Sequence, residues 1–276
     1  MQHKSLFVFD IETVPDTKCV ENLTGFSEPC AEARKAELER YHLEVTKGAS
    51  AFPRQPFHRV VAISFLQAEI EHHNAKESYY LHELRTGGEA GFNEEKILQG
   101  FFQYFEHLKP RLVSFNGRAF DLPVLKYRAM AHGISAPWLY GAGDKWNSYQ
   151  SRYSADWHCD LSDVLRDFGA SPAIRLAEVC AVMGFPGKFG MDGSQVSDLV
   201  DVGKIQAVRD YCETDVLNTY LVYLRYVLHK GSISRESYNR CISDIIAMIE
   251  HSSADRPHLA KFLNAWGKAS GNTFLI

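Results

Sequence analysis

The sequence predicts a mixed α/β protein in which helices lie on the faces of one central sheet. Short apolar runs typical of strands come first in the chain, beginning with residues 6–11. Segments with the apolar spacing of helices alternate with a further strand later, and most of them end at a glycine or a proline. Strands that come first and helices that alternate later favour a mixed sheet.

Three strands are predicted before residue 90. Residues 6–11 are apolar except for Asp10 and are bounded by Pro15, which suits a buried strand at the centre of a sheet. Residues 59–67 and 78–84 predict two further strands, and the acids and histidines between them predict a turn or a short edge strand. Residues 16–58 are polar and charged, with helix formers at 28–45, and predict an insertion that lies over the surface.

Helices dominate the rest of the chain. Asn93 is a helix start with acids in the first turn, and this helix continues to Leu108 before a strand at 111–115. Further helices are predicted at residues 121–132, 161–168, 174–183, 204–230, 235–251 and 257–268, with loops at 137–158 and 185–193. We expect residues 1–230 to form one domain and residues 231–276 to form a helical C-terminal extension packed on it.

Composition limits the class of protein. With 276 residues, 45% of them hydrophobic, the chain can bury a substantial core. Its 6 cysteines are scattered without a C-x-x-C pair, which predicts a reduced intracellular protein without structural zinc. We find neither a signal-peptide core nor a run of transmembrane length, so we expect a soluble cytoplasmic protein. A net charge of −4 argues against a protein that coats long nucleic acid through a broad basic surface.

Asp10 and Glu12 place two carboxylates side by side on an otherwise apolar strand, because residues i and i+2 of a strand share a face. Such a pair repels itself unless something neutralises it, and a divalent cation with oxygen ligands is a standard remedy. The alternative is a solvated pair at the end of the strand. The motif is therefore weak evidence by itself.

Asp121 comes at the start of a predicted helix, after the strand at 111–115 and a short loop. An aspartate there has an ordinary role as a helix cap, with Pro123 tolerated just inside the helix. The loop nevertheless leaves the end of a strand, where ligands gather in α/β sheets, and Asn116 offers an amide to a sugar or a phosphate.

Tyr211 and Asp215 lie four residues apart in the longest predicted helix, so they share one face, a turn apart. A half-buried tyrosine beside a solvated aspartate is the ordinary alternative. The neighbouring apolar residues and Cys212 indicate only that this helix is amphipathic or largely buried.

Together, these three motifs resemble a known family. The segments FDIET (9–13), NGRAFDLP (116–123) and YCETD (211–215) closely resemble the exonuclease motifs of the DEDD superfamily, in its tyrosine-containing branch. The N-x-x-x-F-D spacing is most similar to the proofreading domain of B-family DNA polymerases. Residues 176–200 are similar to a bacterial group of stand-alone predicted exonucleases related to that domain. The resemblance covers residues 6–226 and leaves the last helices uncovered.

This resemblance implies a ribonuclease H-like fold, a 3′-5′ exonuclease domain at 1–230, and two Mg²⁺ or Mn²⁺ ions as cofactors. Asp10 would bridge the ions, Glu12 and Asp215 would complete the first, and Asp121 would hold the second. Tyr211 would position the attacking water or the scissile phosphate. The implied products are nucleoside 5′-monophosphates released from a 3′ end.

Nucleic acid is the implied partner, with a single-stranded DNA 3′ end favoured and RNA possible, and no membrane is implied. The implied substrate-binding residues are Thr13, Asn116, Phe120 and Lys188. We also expect Arg118 and Arg175 near the phosphates, and aromatic residues of the 138–157 loop as stacking platforms for bases. The alternative for those aromatic residues is that they cover the core.

Two other functions are compatible with parts of the sequence. The segment Phe9–Val14 resembles the nucleophile motif of haloacid dehalogenase-type phosphatases, although Glu12 stands where that family has aspartate. A nucleic-acid-binding module that keeps the fold without cutting is the second alternative. We assign no metal role to the His72-His73 pair or to residues 158–160, which we expect in exposed turns, although Asp160 is a candidate acid near the site.

Overall fold

One mixed five-stranded sheet organises the molecule. A computed structural model describes residues 3–87, 93–188, 190–191 and 193–276 of the chain. The strands are β1 (Ser5–Pro15), β2 (His58–His73), β3 (Lys76–Gly87), β4 (Arg111–Ser114) and β5 (His158–Asp160). Their order is β3-β2-β1-β4-β5, with β1 antiparallel to β2 and parallel to β4. The predicted mixed α/β sheet is therefore confirmed.

Helices cover both faces of this sheet. They are α1 (Val20–Thr24), α2 (Ala31–Val45), α3 (Glu94–Leu108), α4 (Asp121–Ala131), α5 (Pro137–Gly141), α6 (Leu161–Val164), α7 (Leu176–Met183), α8 (Val196–Asp201), α9 (Ile205–His229), α10 (Arg235–Ser252) and α11 (Pro257–Ser270). Helices α3 to α5 contribute to the core on one face, and α9 to α11 contribute to the core on the other. Among the described helices, none combines the length and the apolar character that crossing a membrane requires.

β1 lies at the centre of the sheet because both of its faces are apolar. Leu6 and Val8 belong to the core shared with α9, whereas Phe7 and Phe9 belong to the core shared with α3 and α4. Since side chains alternate along a strand, Asp10 shares the face of Leu6 and Val8. The strand therefore directs this carboxylate towards α9.

The hairpin of β2 and β3 is longer than the sequence predicts. The acidic and histidine-rich segment does not form a broad turn but continues both strands, and only Asn74 and Ala75 lie between them, with positive φ. The prediction of an exposed turn at the histidine pair is wrong, since both histidines end β2. The half-buried His72 Nε2 lies 2.9 Å from the backbone oxygen of His3.

Three predictions between residues 137 and 169 are wrong. The helix predicted at 161–168 ends at Val164, and Asp167 and Phe168 follow with φ of 47° and 55°, which a continuing helix excludes. Residues 158–160 are not an exposed turn but the buried strand β5, and α5 interrupts the predicted loop. Strands and helices this short carry too few residues to show a period in the sequence.

Glu94 joins α3, β2 and α4 under the sheet. Its side chain is only 6% exposed and accepts hydrogen bonds from the backbone nitrogen of Val60 at 2.7 Å and from Arg128 at 2.6 and 2.8 Å. Nε2 of His132 lies 2.9 Å from the same carboxylate. Burial by itself would raise the pKa of Glu94, but the hydrogen bonds from Arg128 and His132 outweigh it, so the pKa lies below its ordinary value.

Replacing Glu94 with alanine is expected to lower the free energy of unfolding by about 1.5–3 kcal/mol, because the charged hydrogen bonds to Arg128 are lost while Asp16 still pairs with Arg128. Because the pKa of Glu94 is lowered on folding, its stabilisation is complete above the ordinary glutamate pKa and is lost as the pH falls through the folded value. Urea unfolding of wild type and variant between neutral pH and about pH 3 measures both effects.

The matched control is Glu95→Ala on the same helix, because Glu95 is exposed and its carboxylate accepts a hydrogen bond from its neighbour Gln99 at 3.0 Å. We expect this control to change the free energy of unfolding by less than about 0.5 kcal/mol. Two results would contradict the role of Glu94 as a buried charged partner of Arg128. One is an equal loss of unfolding free energy in the two variants, and the other is a parallel loss in wild type and Glu94→Ala below about pH 4.

Candidate active site

The carboxylates of Asp10 and Glu12 emerge on the same face of β1, where the strand reaches α9. Glu12 is 8% exposed, and a bulge between Glu12 and Thr13 shifts the register of β1 against β2. Asp10 pairs across the strands with Ser64. The bulge ends the regular alternation directly after the two acids, so the strand presents them as a pair.

A tight loop after β4 brings Asp121 to this pair. Asn116 adopts a left-handed φ of 68°, and a Cβ on Gly117 would lie 2.5 Å from Ser114 Oγ, so only glycine fits there. Asp160 on β5 fixes the loop by accepting hydrogen bonds from the backbone nitrogens of Asn116 and Arg118, each at 2.8 Å. Asp160 thus supports the site through the backbone.

Asp121 itself is 5% exposed at the first residue of α4. Its Oδ1 accepts a hydrogen bond from the backbone nitrogen of Ile11 at 3.2 Å, which joins the start of α4 directly to the strand residue between the two acids. This long-range contact places the carboxylate of Asp121 next to that of Asp10, and the repulsion between them is felt at Asp10.

Helix α9 supplies Tyr211 and Asp215 from one face. The phenol is 6% exposed, and its hydroxyl donates a hydrogen bond to Asp215. Burial, with the negative charges of Asp215 and Glu12 next to it, raises the pKa of Tyr211. The phenol is therefore a protonated donor among carboxylates at neutral pH.

Cys212 lies in the same cluster, which the sequence interpretation missed. Its Sγ lies 3.4 Å from the backbone oxygen and 3.7 Å from Oδ2 of Asp10, to which the thiol donates. Potential ligand atoms of Asp10, Glu12 and Cys212 all lie within 4.8 Å of one another. The only signal in the sequence was its place directly after Tyr211 in the motif.

The electrostatics of the cluster favour a cation. Burial, followed by the charges of Asp121, Glu12 and Asp215, raises the pKa of Asp10 well above its ordinary value. Burial also raises the pKa of Asp121 to about 7, although backbone hydrogen bonds oppose the shift. Buried carboxylates that repel one another are stabilised by a divalent ion, and oxygen ligands suit Mg²⁺ and Mn²⁺. The residues present therefore fit such ions.

A buried hydrogen-bond network connects the C-terminal helices to this cluster. Glu213, beside Tyr211 and Cys212, accepts a hydrogen bond from Thr86 Oγ1 at 2.6 Å and bonds His258 Nε2 of α11 at 2.6 Å, and Arg256 pairs with it. Thr86 in turn bonds Ser64, the residue paired with Asp10. The sequence motifs ended before these helices, so this contact was not predicted.

The four expected substrate-binding residues lie around the acids. Thr13 Oγ1 is 2.9 Å from His58 Nδ1, and the Phe120 ring packs on the His58 ring at 4.9 Å. Asn116 is exposed in the loop before Asp121, and Lys188 is exposed with its Nζ 5.8 Å from the centre of the Tyr211 ring. Thr13 and Phe120 are partly exposed and Asn116 and Lys188 are exposed, and all four lie next to members of the cluster.

The loop that carries Lys188 is fixed to α9 by Asn218. Its Oδ1 accepts a hydrogen bond from the nitrogen of Gly187 at 3.1 Å and its Nδ2 donates to the oxygen of Gly187 at 2.9 Å. Asp192, within the stretch similar to bacterial exonucleases, lies outside the described residues. The guanidinium of Arg118 bonds the backbone oxygen of His158 at 3.1 Å, so this cation is partly engaged within the protein. Arg175 is exposed at the start of α7.

Comparison with known proteins agrees with the geometry. The model of a family described as "Predicted 3'-5' exonuclease related to the exonuclease domain of PolB" matches residues 50–266. The chain belongs to this family. The match includes Asp121, Tyr211 and Asp215, and it begins after β1. The fold is accordingly ribonuclease H-like, as expected, and the phosphatase alternative is set aside.

DNA polymerase epsilon catalytic subunits are similar to this exonuclease-family chain. The catalytic subunit of Kluyveromyces lactis is 27% identical over 205 residues, which are 68% of this chain and 9% of that protein. The catalytic subunit of Schizosaccharomyces pombe is 26% identical over 215 residues, 71% of this chain and 10% of that protein. A catalytic subunit of Arabidopsis thaliana is 32% identical over 142 residues, 49% of this chain and 6% of that protein. The chain spans about a tenth or less of the length of these relatives.

Proposed function

We propose that this chain hydrolyses phosphodiester bonds from the 3′ end of nucleic acid, with single-stranded DNA favoured, and releases nucleoside 5′-monophosphates. The observation that carries the proposal is the convergence of Asp10, Glu12, Asp121 and Asp215 with the Tyr211 phenol at one point. Membership of a 3′-5′ exonuclease family supports the reaction class.

Two Mg²⁺ or Mn²⁺ ions are the proposed cofactors. Asp10, Glu12, Asp121 and Asp215 would hold these ions, and Asp10 would be shared between them because the charges of the other three acids all act on it. When bound, such ions activate a water and stabilise the leaving 3′-oxygen. The carboxylates supply the negative charge that binds the ions and fix the positions of the ligand oxygens. The thiol of Cys212 holds Oδ2 of Asp10 by a hydrogen bond.

Tyr211 and the surrounding loops bind and orient the substrate in this proposal. The phenol is a hydrogen-bond donor at the carboxylates, and in this proposal it would hold the attacking water or the scissile phosphate. Asn116, Thr13 and Phe120 contact the terminal nucleotide, and Lys188 pairs with a phosphate. Each of these roles requires only side chains already at the edge of the cluster.

The exonuclease unit comprises residues 1–230, with 16–58 as a surface insertion and 231–276 as a helical extension on the same domain. The apolar residues Ile242 and Trp266 of the extension share one core with Val8 and Leu217, which supports packing of the extension on the same domain. The cysteines are free, in keeping with a reducing compartment such as the cytoplasm.

The test is a 5′-labelled single-stranded oligonucleotide incubated with the purified chain in Mg²⁺, in Mn²⁺ and in EDTA. We expect a ladder that shortens from the 3′ end with either ion and no ladder in EDTA, because the carboxylates need the ions to hold the phosphate. DNA and RNA of one sequence, and a blunt duplex, measure the preference for single-stranded DNA.

A circular single strand is the matched control, because it offers the same bonds without a 3′ end. Cutting of the circle, or a ladder that persists in EDTA, would contradict the proposal. Binding of the oligonucleotide without any shortening would favour the alternative of a non-catalytic binding module.

A further inference from the structure

The aromatic residues between 138 and 157 divide into two groups. Trp138, Tyr149 and Trp157 are at most 8% exposed and pack in the core beside α3. Tyr140, Trp146 and Tyr153 are 60, 73 and 73% exposed. The first group covers the core, which was the alternative to a role in stacking bases. The second group leaves large aromatic surfaces in solvent, which packing does not explain.

A lysine lies over each of two of these exposed rings. Lys126 Nζ is 5.8 Å from the centre of the Tyr140 ring, and Lys145 Nζ is 4.9 Å from the centre of the Trp146 ring. Arg152 is half-exposed next to Tyr153 and pairs with Asp163. We call Lys126, Tyr140, Lys145, Trp146, Arg152 and Tyr153 the basic aromatic face. In a chain with a net charge of −4, this local concentration of cations beside aromatic rings is a distinct feature.

Hydrogen bonds fix the segment that carries the basic aromatic face. Lys126 Nζ lies 3.4 Å from Oε1 of Gln150, and Ser151 Oγ donates to the backbone oxygen of Lys145 at 3.0 Å. Asp144 Oδ1 accepts hydrogen bonds from the backbone nitrogens of Trp146 and Asn147 at 2.7 and 2.8 Å, which fixes the turn that carries the Trp146 ring. The segment that carries the basic aromatic face is therefore held in place by its own hydrogen bonds.

The face is continuous with the catalytic loop. A groove of about 420 Å³ is lined by Leu122 and Pro123, the two residues that follow Asp121, and by four charged residues. These are Arg118, Lys126, Arg152 and Asp163, of which Asp163 pairs with Arg152. Burial, with the charge of Arg118 nearby, lowers the pKa of Lys126. The lining has three cations and one acid, so its net positive charge complements a phosphate chain.

We propose that the basic aromatic face binds the single-stranded segment of the substrate on the 5′ side of the scissile bond. This inference rests on the proposed function and adds to it a second contact, outside the metal cluster, that holds the strand between successive cuts. Bases stack on the exposed rings of Tyr140 and Trp146, and the phosphates pair with Lys126 and Arg152 in the groove. Stacking is possible only for unpaired bases, so the face selects a single strand.

The first measurement is binding, by fluorescence anisotropy of a 5′-labelled oligonucleotide of about twenty nucleotides in EDTA. Trp146→Ala is expected to weaken binding about 5- to 150-fold, the range for loss of one base–aromatic stack. Lys126→Gln is expected to reduce the slope of log affinity against log salt by about 0.7, the value for one phosphate contact with a single strand.

The controls are Val182→Ala, which truncates an 89% exposed apolar side chain on α7, and Lys268→Gln, which removes an exposed charge near the end of α11. Neither should change the affinity or the salt slope. Thermal unfolding of all four variants should agree with wild type, because the replaced side chains are exposed or line only the groove.

The second measurement is cleavage of the long oligonucleotide and of a trinucleotide with Mg²⁺. We expect Trp146→Ala and Lys126→Gln to lower kcat/KM much more for the long substrate than for the trinucleotide, which cannot reach the face. Equal losses on both lengths, unchanged affinity in both variants, or an equal loss of affinity for a duplex would overturn the inference. If wild type shortens no oligonucleotide at all, the proposed function is wrong. The binding measurements then still show whether the basic aromatic face binds a single strand.

Discussion

Replacing Asp10 with asparagine is expected to abolish measurable exonuclease activity. Asp10 lies at the centre of the acidic cluster, where it experiences the charges of Asp121, Glu12 and Asp215. Asparagine keeps the shape of the side chain but removes one ligand charge that both proposed ions share. The measurement is the initial rate of 3′ shortening with Mg²⁺, compared with wild type at equal protein concentration.

A folding defect must be separated from this catalytic one. Because burial and repulsion disfavour the charge of Asp10 without a cation, the Asp10→Asn variant in EDTA should melt no lower than wild type. Adding Mg²⁺ should raise the Tm of wild type by linkage and should raise that of the variant much less. The exposed Asp201→Asn at the end of α8 is the matched control and should behave as wild type.

Tyr211→Phe is expected to lower kcat by about 10²- to 10⁴-fold, the usual cost of losing a positioned catalytic group. The ring is buried and would remain in place, so only the hydroxyl that donates to Asp215 is lost. Residual cutting should therefore be detectable in single-turnover assays, unlike that of Asp10→Asn.

Tyr223→Phe is the matched control, since it makes the same change on the same helix. The Tyr223 hydroxyl bonds Tyr79 and Arg111 in the core, away from the acids, so its loss should affect stability and leave kcat near wild type. If the folded Asp10→Asn variant kept more activity than Tyr211→Phe, the ion ligands proposed on β1 would be wrong. A Tyr211→Phe variant with wild-type kcat would remove Tyr211 from the mechanism.

Strong local periodicity explains which parts of the fold were predictable. β1 is apolar on both faces and α9 has 25 residues, so each carries an unambiguous signal. β5 has three residues and α6 has four, and neither can show a period. The turn or short edge strand predicted between β2 and β3 proves to be a turn of only two residues, Asn74 and Ala75. The charged residues were taken as a break, whereas Glu71 and Glu77 continue the pairing across the hairpin.

The candidate site was only partly visible in the sequence. Each proposed active-site residue had an ordinary explanation when taken alone. The set became informative through its order along the chain and its resemblance to the exonuclease motifs: Asp10, Glu12, Asp121, Tyr211 and Asp215. Asp160, Cys212 and Glu213 act through contacts that no spacing encodes. The aromatic residues of the 138–157 loop had one composition but two environments, and burial alone separates Tyr149 from Trp146.

The sequence by itself determined the mixed α/β class, the position of each carboxylate on a strand or a helix, and the exonuclease resemblance, because these depend on local period and motif. Only the tertiary structure decided what surrounds each group. Cys212 bonds Asp10 across 202 positions, and Glu213 bonds Thr86 across 127. Burial and electrostatic repulsion, which raise the pKa of Asp10 and make a cation favourable, arise only when such distant residues are packed together.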